Sequence, residues 1–290
     1  MEGGGPDVIV VGDLMVDVSV AARALVTGGD VPGEVRIRPG GSGANAAVWA
    51  AAAGAHTHVY GRVGADLAGR LLRDAVEERG VEASLTVDAE ARTGTLLVVR
   101  QDGERSMVAD RGANGHLSPA DLPARLRARA VLVSGYAFFD PGSEPAGVAA
   151  LTRAEAPVVA VDPASWPLVE AYGSDRFLAA TQGANLILAN AREAETLTRL
   201  PVLEAASELA KRYGRACVKL GPEGAVLVQG GRMFSARAGV VEAEDTTGAG
   251  DAFDGALLAA LARGAGPEGA LEEACRAGSR AASSADNWPG

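Results

Sequence analysis

The 290-residue chain contains little cysteine and no long apolar run. Its two cysteines, Cys217 and Cys275, exclude a disulfide scaffold and the zinc sites that are built on paired cysteines. No apolar stretch approaches the roughly 18 residues that a membrane span needs. The first residues also lack the basic and apolar regions of a signal peptide. We therefore expect a cytoplasmic protein with no membrane partner.

Basic residues are also scarce. The chain has 27 Lys and Arg against 37 Asp and Glu, for a formal net charge of −10, and its only lysines are Lys211 and Lys219. General nucleic-acid binders usually show the opposite balance or a basic block. We expect no nucleic-acid partner, although Mg²⁺ and backbone amides still allow an acidic protein to bind a nucleotide.

Two groups of signature motifs are missing. No G-x-x-x-x-G-K-[ST] sequence occurs, which excludes a P-loop enzyme, and the protein-kinase motifs are absent as well. His56, His58 and His116 have no neighbours at metal-ligand spacing, so we interpret them as structural or exposed residues.

Short apolar segments alternate with helical segments along the chain. The run at 8–12 is typical of a strand buried on both faces. Such alternation predicts an α/β fold, with a mainly parallel sheet covered by helices on both faces, in one domain over 1–290. Further strands are predicted at 131–134, 158–161, 186–189, 217–220 and 225–228. Helices are predicted at 44–53, 66–79, 193–200, 203–213, 252–262 and 268–283.

Four β-rich segments break this alternation. Two of them, 95–100 and 105–109, flank Asp102-Gly103, a strong hairpin signal. The other two, 16–20 and 34–38, flank a turn rich in glycine and proline. They predict a small β lid within about 14–39 and 94–113, or, as the alternative, an ordinary edge hairpin.

The strongest motif is the sequence DTTGAGDAF at 245–253, which leads directly into a predicted helix. Its glycines permit a tight turn, and the first amides of a helix have no partners within the helix. The helix dipole adds positive potential, so the motif predicts an anion site without basic side chains. Asp251 is placed to accept a proton from a hydroxyl that attacks phosphorus. The alternative is a helix cap with no chemical role.

A second glycine-rich segment, at 40–46, also opens a helix. It imitates a dinucleotide fingerprint, which should follow a buried strand. In the preceding segment, however, apolar residues alternate with arginine, as in a half-exposed strand, and this disfavours a dehydrogenase. Here Asn45 is placed to bond a substrate hydroxyl. Asp13 and Asp17 follow the first strand, at the edge where open α/β sheets bind ligands. Their carboxylates suit the adjacent hydroxyls of a sugar, with solvated loop acids as the alternative.

Two further segments follow predicted strands. Asn190 and Glu193 offer the hard oxygen atoms that suit hydrated Mg²⁺, although helix capping explains them equally well. The loop at 219–224 is placed to approach a nucleotide, or it is simply a tight turn.

Three segments resemble the ribokinase-like (PfkB-type) sugar kinase family in their sequence, order and separation. They are 40–45, Asn190-x-x-Glu193 and 245–253. The resemblance covers nearly the whole chain. It implies a three-layer α/β sandwich with a β lid that often also forms a homodimer. It further implies transfer of the γ-phosphoryl group of ATP to a substrate hydroxyl, with Mg²⁺ as cofactor.

The resemblance also implies roles for individual residues. Asp251 corresponds to the catalytic base, and the anion hole corresponds to Gly248, Ala249 and Gly250. The residues that bind the sugar in this family correspond to Asp13, Asp17, Gly41 and Asn45. The two family residues that act on Mg²⁺ and phosphate correspond to Asn190 and Glu193. The family's nucleotide-binding loop corresponds to the segment that contains Lys219, Gly221 and Gly224. In potassium-activated members, a monovalent cation lies at the positions of Asp245 and Thr247.

Some positions depart from the family pattern. The chain ends soon after its last predicted helix, where Asn287 is the candidate for contact with the base or ribose. Ribokinases proper often carry a substrate-binding glutamate after a middle strand, whereas residues 134–139 contain none, which weakens ribose as the substrate. Five arginines in or beside the lid make an acidic sugar such as 2-keto-3-deoxygluconate a rival candidate, although solvated strand faces explain most of these arginines better: Arg36, Arg38, Arg100, Arg105 and Arg111. Of these, Arg111 is predicted to touch substrate.

Three hypotheses follow. The first is an ATP-dependent sugar kinase, and the second is a nucleoside kinase of the same family. The third is a non-catalytic sensor, against which the intact Asp251 argues.

Overall fold

The computed structural model describes residues 5–22, 26–101, 104–241, 246–284, 286, 288 and 289. Its strands are β1 (Val8–Val11), β2 (Met15–Ala22), β3 (Gly33–Gly40), β4 (Thr57–Gly64), β5 (Val81–Asp88), β6 (Gly94–Gln101), β7 (Glu104–Asp110), β8 (Leu126–Arg127), β9 (Ala130–Ser134), β10 (Ala154–Glu155), β11 (Val158–Asp162), β12 (Leu186–Asn190), β13 (Arg215–Lys219), β14 (Ala225–Gln229) and β15 (Arg232–Ala236). Its helices are α1 (Ser42–Ala52), α2 (Leu67–Glu78), α3 (Glu144–Arg153), α4 (Trp166–Tyr172), α5 (Ser174–Ala180), α6 (Ala191–Thr198), α7 (Val202–Tyr213), α8 (Ala249–Ala262) and α9 (Pro267–Ala282).

The main sheet has the strand order β15-β14-β13-β12-β11-β9-β1-β4-β5. Its pairs from β13 to β5 are parallel, and β14 and β15 add an antiparallel edge. Alternate residues of β1 enter different cores: Val8 and Val10 pack on one face of the sheet, Ile9 and Val11 on the other. A strand buried on both faces is apolar at every position, which explains the continuous run. The predicted α/β sandwich with a mainly parallel sheet is confirmed.

The lid sheet is a separate four-stranded sheet with the order β3-β2-β6-β7. The pairs β2–β3 and β6–β7 are antiparallel, so the two predicted strand pairs are confirmed. Directly paired residues share a face of a sheet. One cross-strand row is Arg38, Asp17, Leu96 and Ala109, and the adjacent row on the opposite face is Ile37, Val18, Leu97 and Val108.

Several elements were not predicted, among them β4, β5 and α3 to α5. Polar and apolar residues alternate in β4, whose sequence is THVYGRVG, so it lacks the continuous apolar run that revealed β1. The helices α4 and α5 have only seven residues each, too short for a clear apolar stripe. Within the described residues, no helix is long and apolar enough to cross a membrane.

Candidate active site

Two adjoining cavities lie where the main-sheet strands end. The larger cavity, of about 560 Å³, opens between the lid sheet and the carboxyl ends of β1, β11, β12 and β13. The smaller cavity, of about 360 Å³, lies between the 219–224 loop and the helices α8 and α9. The two cavities share Lys219, Gly221 and Gly250. The start of α8 therefore forms part of the wall between them.

Asp251 lies in the first turn of α8 and lines the larger cavity. Gly248 precedes this helix with a left-handed φ of 76°, a conformation that favours glycine. Burial raises the pKa of Asp251 to about 7. A hydrogen bond from Asn45 opposes that increase, and the nearby Asp162 adds to it. The carboxyl group therefore titrates near neutral pH, in the range where it can accept a proton.

The helices α1 and α8 both begin directly after a glycine, and their first turns lie side by side next to Asp251. Gly41 has a φ of 94°, and a Cβ on it would lie 2.5 Å from the Asp13 carbonyl oxygen, so only glycine fits. This close approach places α1 beside the loop after β1. Asn45, in the first turn of α1 and 3% exposed, donates from Nδ2 to Asp251 Oδ2 at 2.8 Å. The two predicted motifs therefore meet in one site.

Asp13 is held by Arg111. The guanidinium donates from Nε to Asp13 Oδ2 and from Nη2 to Asp13 Oδ1, both at 2.9 Å. Such a bidentate pair fixes the plane of the carboxylate. Arg111 also donates to Ser143 Oγ at 3.2 Å and lines the larger cavity. Its guanidinium is thus engaged mainly by Asp13, and Asp17 lines the same cavity from β2.

Lys219 forms a buried ion-pair cluster beneath the start of α8. Its Nζ lies 3.1 Å from Asp162 and 2.9 Å from Asp254. Burial favours the neutral amine, but Asp162, Asp254 and Glu193 hold the pKa of Lys219 well above its ordinary value. The ammonium is therefore a fixed positive charge in the wall of both cavities.

Asn190 and Glu193 both face the larger cavity and form a capping box at the start of α6. Glu193 accepts from the Asn190 backbone N–H at 2.8 Å and from Asn190 Nδ2 at 2.6 Å. Burial, with the nearby Asp162, raises the pKa of Glu193 to about 7. No cluster of three or more His, Cys, Asp or Glu suited to a metal occurs in the described part of the chain. This donor set fits hydrated Mg²⁺, which keeps several waters and takes few protein ligands besides substrate phosphates.

The 219–224 loop is both a tight turn and a cavity wall. Leu220 N donates to Gly224 O at 2.8 Å, and Gly224 N donates to Gly221 O at 3.0 Å. Gly221 and Gly224 line the smaller cavity, whose other walls are largely apolar: Val240, Val241, Ala249, Phe253, Cys275 and Ala282. The two interpretations of this loop from sequence are therefore compatible.

Two predicted site residues, Asp245 and Asn287, lie outside the described residues. Thr247 lies in the wall of the larger cavity. Three acidic or aromatic residues of the site were not predicted: Tyr136, Asp162 and Asp254. Asp162 ends a buried strand, the same signal that revealed Asp13, and Asp254 lies one turn after Asp251 on α8.

The chain is similar to known proteins over nearly its whole length. The model of the pfkB family carbohydrate kinases matches residues 6–285. The chain belongs to this family. The protein is therefore a carbohydrate-kinase phosphotransferase, and the resemblance inferred from its motifs is confirmed.

Individual relatives agree with this assignment. The pfkB-family chain is 29% identical to a ribokinase of Haemophilus influenzae, over 85% of this chain and 80% of that one. It is 30% identical to fructokinase-1 of Oryza sativa, over 89% and 84% of the two chains. The crystal structure of adenosine kinase from Sinorhizobium meliloti superposes with a TM-score of 0.87 at 23% identity, over 99% and 96% of the chains, which shows the shared fold.

Proposed function

We propose that this kinase, a single domain, transfers the γ-phosphoryl group of ATP to a hydroxyl of a small neutral sugar, with Asp251 as the base. The observation that carries the proposal is the position of Asp251. Its carboxyl group lines the larger cavity from the first turn of α8, and the helix start beside it also lines the smaller cavity. A sugar in one cavity and a nucleotide in the other would meet at this helix.

The proposed step needs one proton acceptor and one anion site. Asp251 accepts the proton of the substrate hydroxyl, whose oxygen forms a bond to the γ-phosphorus while the bond to the β,γ-bridging oxygen breaks. ADP leaves with that oxygen. The backbone amides of Gly248 and Gly250 at the start of α8 stabilise the negative charge on the transferring group, helped by the helix dipole and the Lys219 ammonium. The Ala249 N–H would join them by leaving the Thr246 carbonyl oxygen, to which it donates at 3.3 Å. Phosphoryl transfer depends mainly on positioning and charge stabilisation, so one weak base suffices.

ATP would occupy the smaller cavity. The apolar walls around Val240, Phe253 and Ala282 suit the faces of a purine base, and Gly221 and Gly224 allow the loop to approach it. The polyphosphate would then extend past Lys219 toward the start of α8. Mg²⁺ bound between the phosphates would neutralise their charge, and Asn190 and Glu193 would hold it through water.

The sugar would bind in the larger cavity. Asp13, held by Arg111, and Asp17 accept hydrogen bonds from adjacent hydroxyls, and the second Nδ2 hydrogen of Asn45 donates to one. The carboxyl groups that line this cavity are Asp13, Asp17, Asp162, Glu193 and Asp251, against two basic groups, Arg111 and Lys219. Both basic groups are within ion-pair distance of carboxylates. This balance disfavours an acidic or phosphorylated sugar and supports a neutral substrate.

A nucleoside is the second candidate. The lid sheet contributes apolar groups to the larger cavity, namely Leu96, Met107 and Ala109, and Leu168 adds another from α4. A free monosaccharide has little apolar surface to place against them, whereas the base of a nucleoside has a flat apolar face.

We also propose a homodimer through the outer face of the lid sheet. The cross-strand row on that face is apolar, and Ile37 and Val108 are 64% and 66% exposed. Contiguous exposed apolar side chains are typical of protein interfaces. Light scattering after size exclusion should give twice the chain mass, and Ile37→Asp should give the chain mass. Leu203→Asp, at an exposed position of α7, is the matched control. A monomeric wild type at micromolar concentration would contradict this proposal.

The test of the proposed reaction is a coupled ADP-release screen with Mg²⁺, with and without K⁺. The panel contains ribose, fructose, 2-keto-3-deoxygluconate, their phosphates and several nucleosides. We expect turnover of a neutral sugar or a nucleoside. Turnover of only the anionic compounds would overturn the assignment of substrate charge. Calorimetric binding without any turnover would favour the sensor and refute the kinase.

A further inference from the structure

Asn45 forms two hydrogen bonds that use opposite ends of its amide. Its Nδ2 donates to Asp251 Oδ2 at 2.8 Å, and its Oδ1 accepts from the indole Nε1 of Trp288 at 2.8 Å. Trp288 lies 243 residues away in sequence, and its side chain is only 6% exposed. The indole is thus a buried group that reaches the site through Asn45 and does not line either cavity.

This arrangement fixes the orientation of the amide. An indole N–H only donates, and an ionised carboxylate only accepts. Rotating the Asn45 amide by 180° would place its NH₂ group against the indole N–H and its oxygen against the carboxylate. Both hydrogen bonds would be lost in a buried environment, where an unsatisfied polar group is costly. Trp288 therefore selects the orientation in which Asn45 donates to Asp251.

Other contacts hold Trp288 in place. It packs within the core formed by the helices α1, α8 and α9 and the adjacent face of the main sheet. The Arg79 guanidinium, which follows α2, lies 6.0 Å from the centroid of the indole ring and donates to the Pro289 carbonyl oxygen. The indole is therefore held from two sides, by the core and by Arg79.

We propose that Trp288 is a positioning residue, which locks Asn45 as a hydrogen-bond donor to Asp251 and so favours the ionised, proton-accepting form of the base. This inference rests on the proposed role of Asp251. Trp288 does not touch substrate; it acts through Asn45.

Several groups face Asp251 from the elements packed against it. They are Asn45 on α1, Asp17 on β2, Tyr136 after β9, Asp162 on β11 and Lys219 on β13. Among the groups that shift the pKa of Asp251, Asn45 and Lys219 lower it, whereas burial, Asp162 and Asp17 raise it. Loss of the donor from Asn45 should therefore raise the pKa of Asp251.

The first experiment is the pH profile of kcat/KM for Trp288→Phe, which keeps an aromatic ring and removes the N–H. We expect the midpoint of the acid limb to move upward by about one pH unit, the scale of one charge-assisted hydrogen bond. Activity at pH 6 should fall several-fold more than activity at pH 9. The matched control is Trp49→Phe, a buried indole on α1, which should leave the midpoint unchanged.

A purely structural role for Trp288 would lower stability or kcat without moving the midpoint. A midpoint within 0.2 pH units of wild type, by the same assay, would overturn the inference and leave the kinase assignment intact. In Asn45→Ala, adding Trp288→Phe should cause no further movement of the midpoint, because Asn45 no longer connects Trp288 to Asp251. An additional upward movement would show that Trp288 does not act through Asn45.

A second experiment uses the wild-type protein and needs no turnover. The indole ¹⁵N–¹H resonances of Trp49, Trp166 and Trp288 are assigned and followed from pH 5.5 to 8.5. Only the Trp288 resonance should titrate with the ionisation of Asp251, and it should stop titrating in Asp251→Asn. A Trp288 resonance that is constant across this range would overturn the inference even if Trp288→Phe fails to fold.

Discussion

Asp251 shows how one residue acquires its chemistry from its surroundings. An ordinary aspartic acid is fully ionised at neutral pH and is a very weak base. Burial at the start of α8 raises its pKa to about 7, while Asn45 and Lys219 limit the increase. A base whose pKa lies near the working pH is the most effective proton acceptor.

The pH dependence of activity follows from that pKa. Asp251 must be deprotonated to act, so kcat/KM should rise with pH through about 7 and then level off. Steady-state rates between pH 5.5 and 9 measure this directly, with thermal denaturation at each pH as a control for unfolding. A flat profile between pH 5.5 and 8 would be inconsistent with Asp251 as the base.

Arg111 offers a second test at this scale. Arg111→Met should raise the KM for the sugar about ten- to hundred-fold, because Asp13 loses its bidentate partner. In the presence of Asp13→Asn, the same change should cost little more. The matched control is Arg62→Met, since Arg62 bridges Asp88 and Asp121 away from both cavities. Equal effects of the two arginine changes on KM would contradict the proposed role.

Sequence predicted the residues whose chemistry lies in a local motif. Asp251, Asn45 and Asp13 each follow a glycine-rich turn or a strand end, and the structure brings them to the same cavity. Trp288 carries no such signal, because its contact with Asn45 depends on packing between distant segments. Lys219 was predicted as part of a nucleotide loop, but its ion pairs with Asp162 and Asp254 depend on strand order.

At the scale of secondary structure, the helix starts determine where the site forms. The first turns of α1 and α8 meet through Asn45 and Asp251. Both helices are rich in small residues, so their backbones pack closely in the core. Periodicity predicted most buried strands and the helices α1, α2 and α6 to α9, but it missed β4 and β5, where polar side chains interrupt the apolar pattern.

The start of α2 provides a prediction about stability. Asp66 accepts hydrogen bonds from Gly69 N at 2.9 Å, Thr93 N at 2.9 Å and Thr93 Oγ1 at 2.6 Å, and so joins the helix to the beginning of the lid sheet. Asp66→Ala should lower the free energy of unfolding by about 1–2 kcal/mol at pH 7, measured by urea denaturation. Asp74→Ala, exposed on the same helix, should change it by less than about 0.5 kcal/mol.

This effect should also depend on pH. The hydrogen bonds from Thr93 and Gly69 lower the pKa of Asp66 below its ordinary value, despite an opposing contribution from burial. A group with a depressed pKa in the folded state stabilises the protein above its unfolded pKa, and loses that contribution as the pH falls through the folded value. The difference between wild type and Asp66→Ala should therefore shrink at acid pH. A difference that is larger at acid pH than at pH 7 would contradict this assignment.

At the scale of the whole molecule, two cavities meet at one helix start. The main sheet supplies acidic and amide side chains from its strand ends, and the lid sheet covers the larger cavity. Covering the site would exclude water, which otherwise competes with the sugar hydroxyl for the phosphoryl group. Family and fold were predictable because the order and separations of three motifs in this chain, at 40–45, 190–193 and 245–253, resemble those of the family. The individual substrate was not, because it depends on the shape of a cavity built from six or more segments. The cytoplasmic location and the monovalent-cation site stay predictions of the sequence.

The role of Asp251 is tested most simply by comparing wild type with Asp251→Asn on the best substrate of the screen. We predict that kcat/KM falls about a thousand-fold, while the calorimetric Kd for ATP changes by less than about three-fold. Asp74→Asn, on the exposed face of α2, is the control and should behave as wild type. Turnover by Asp251→Asn within about ten-fold of wild type would show that this carboxylate is not the base.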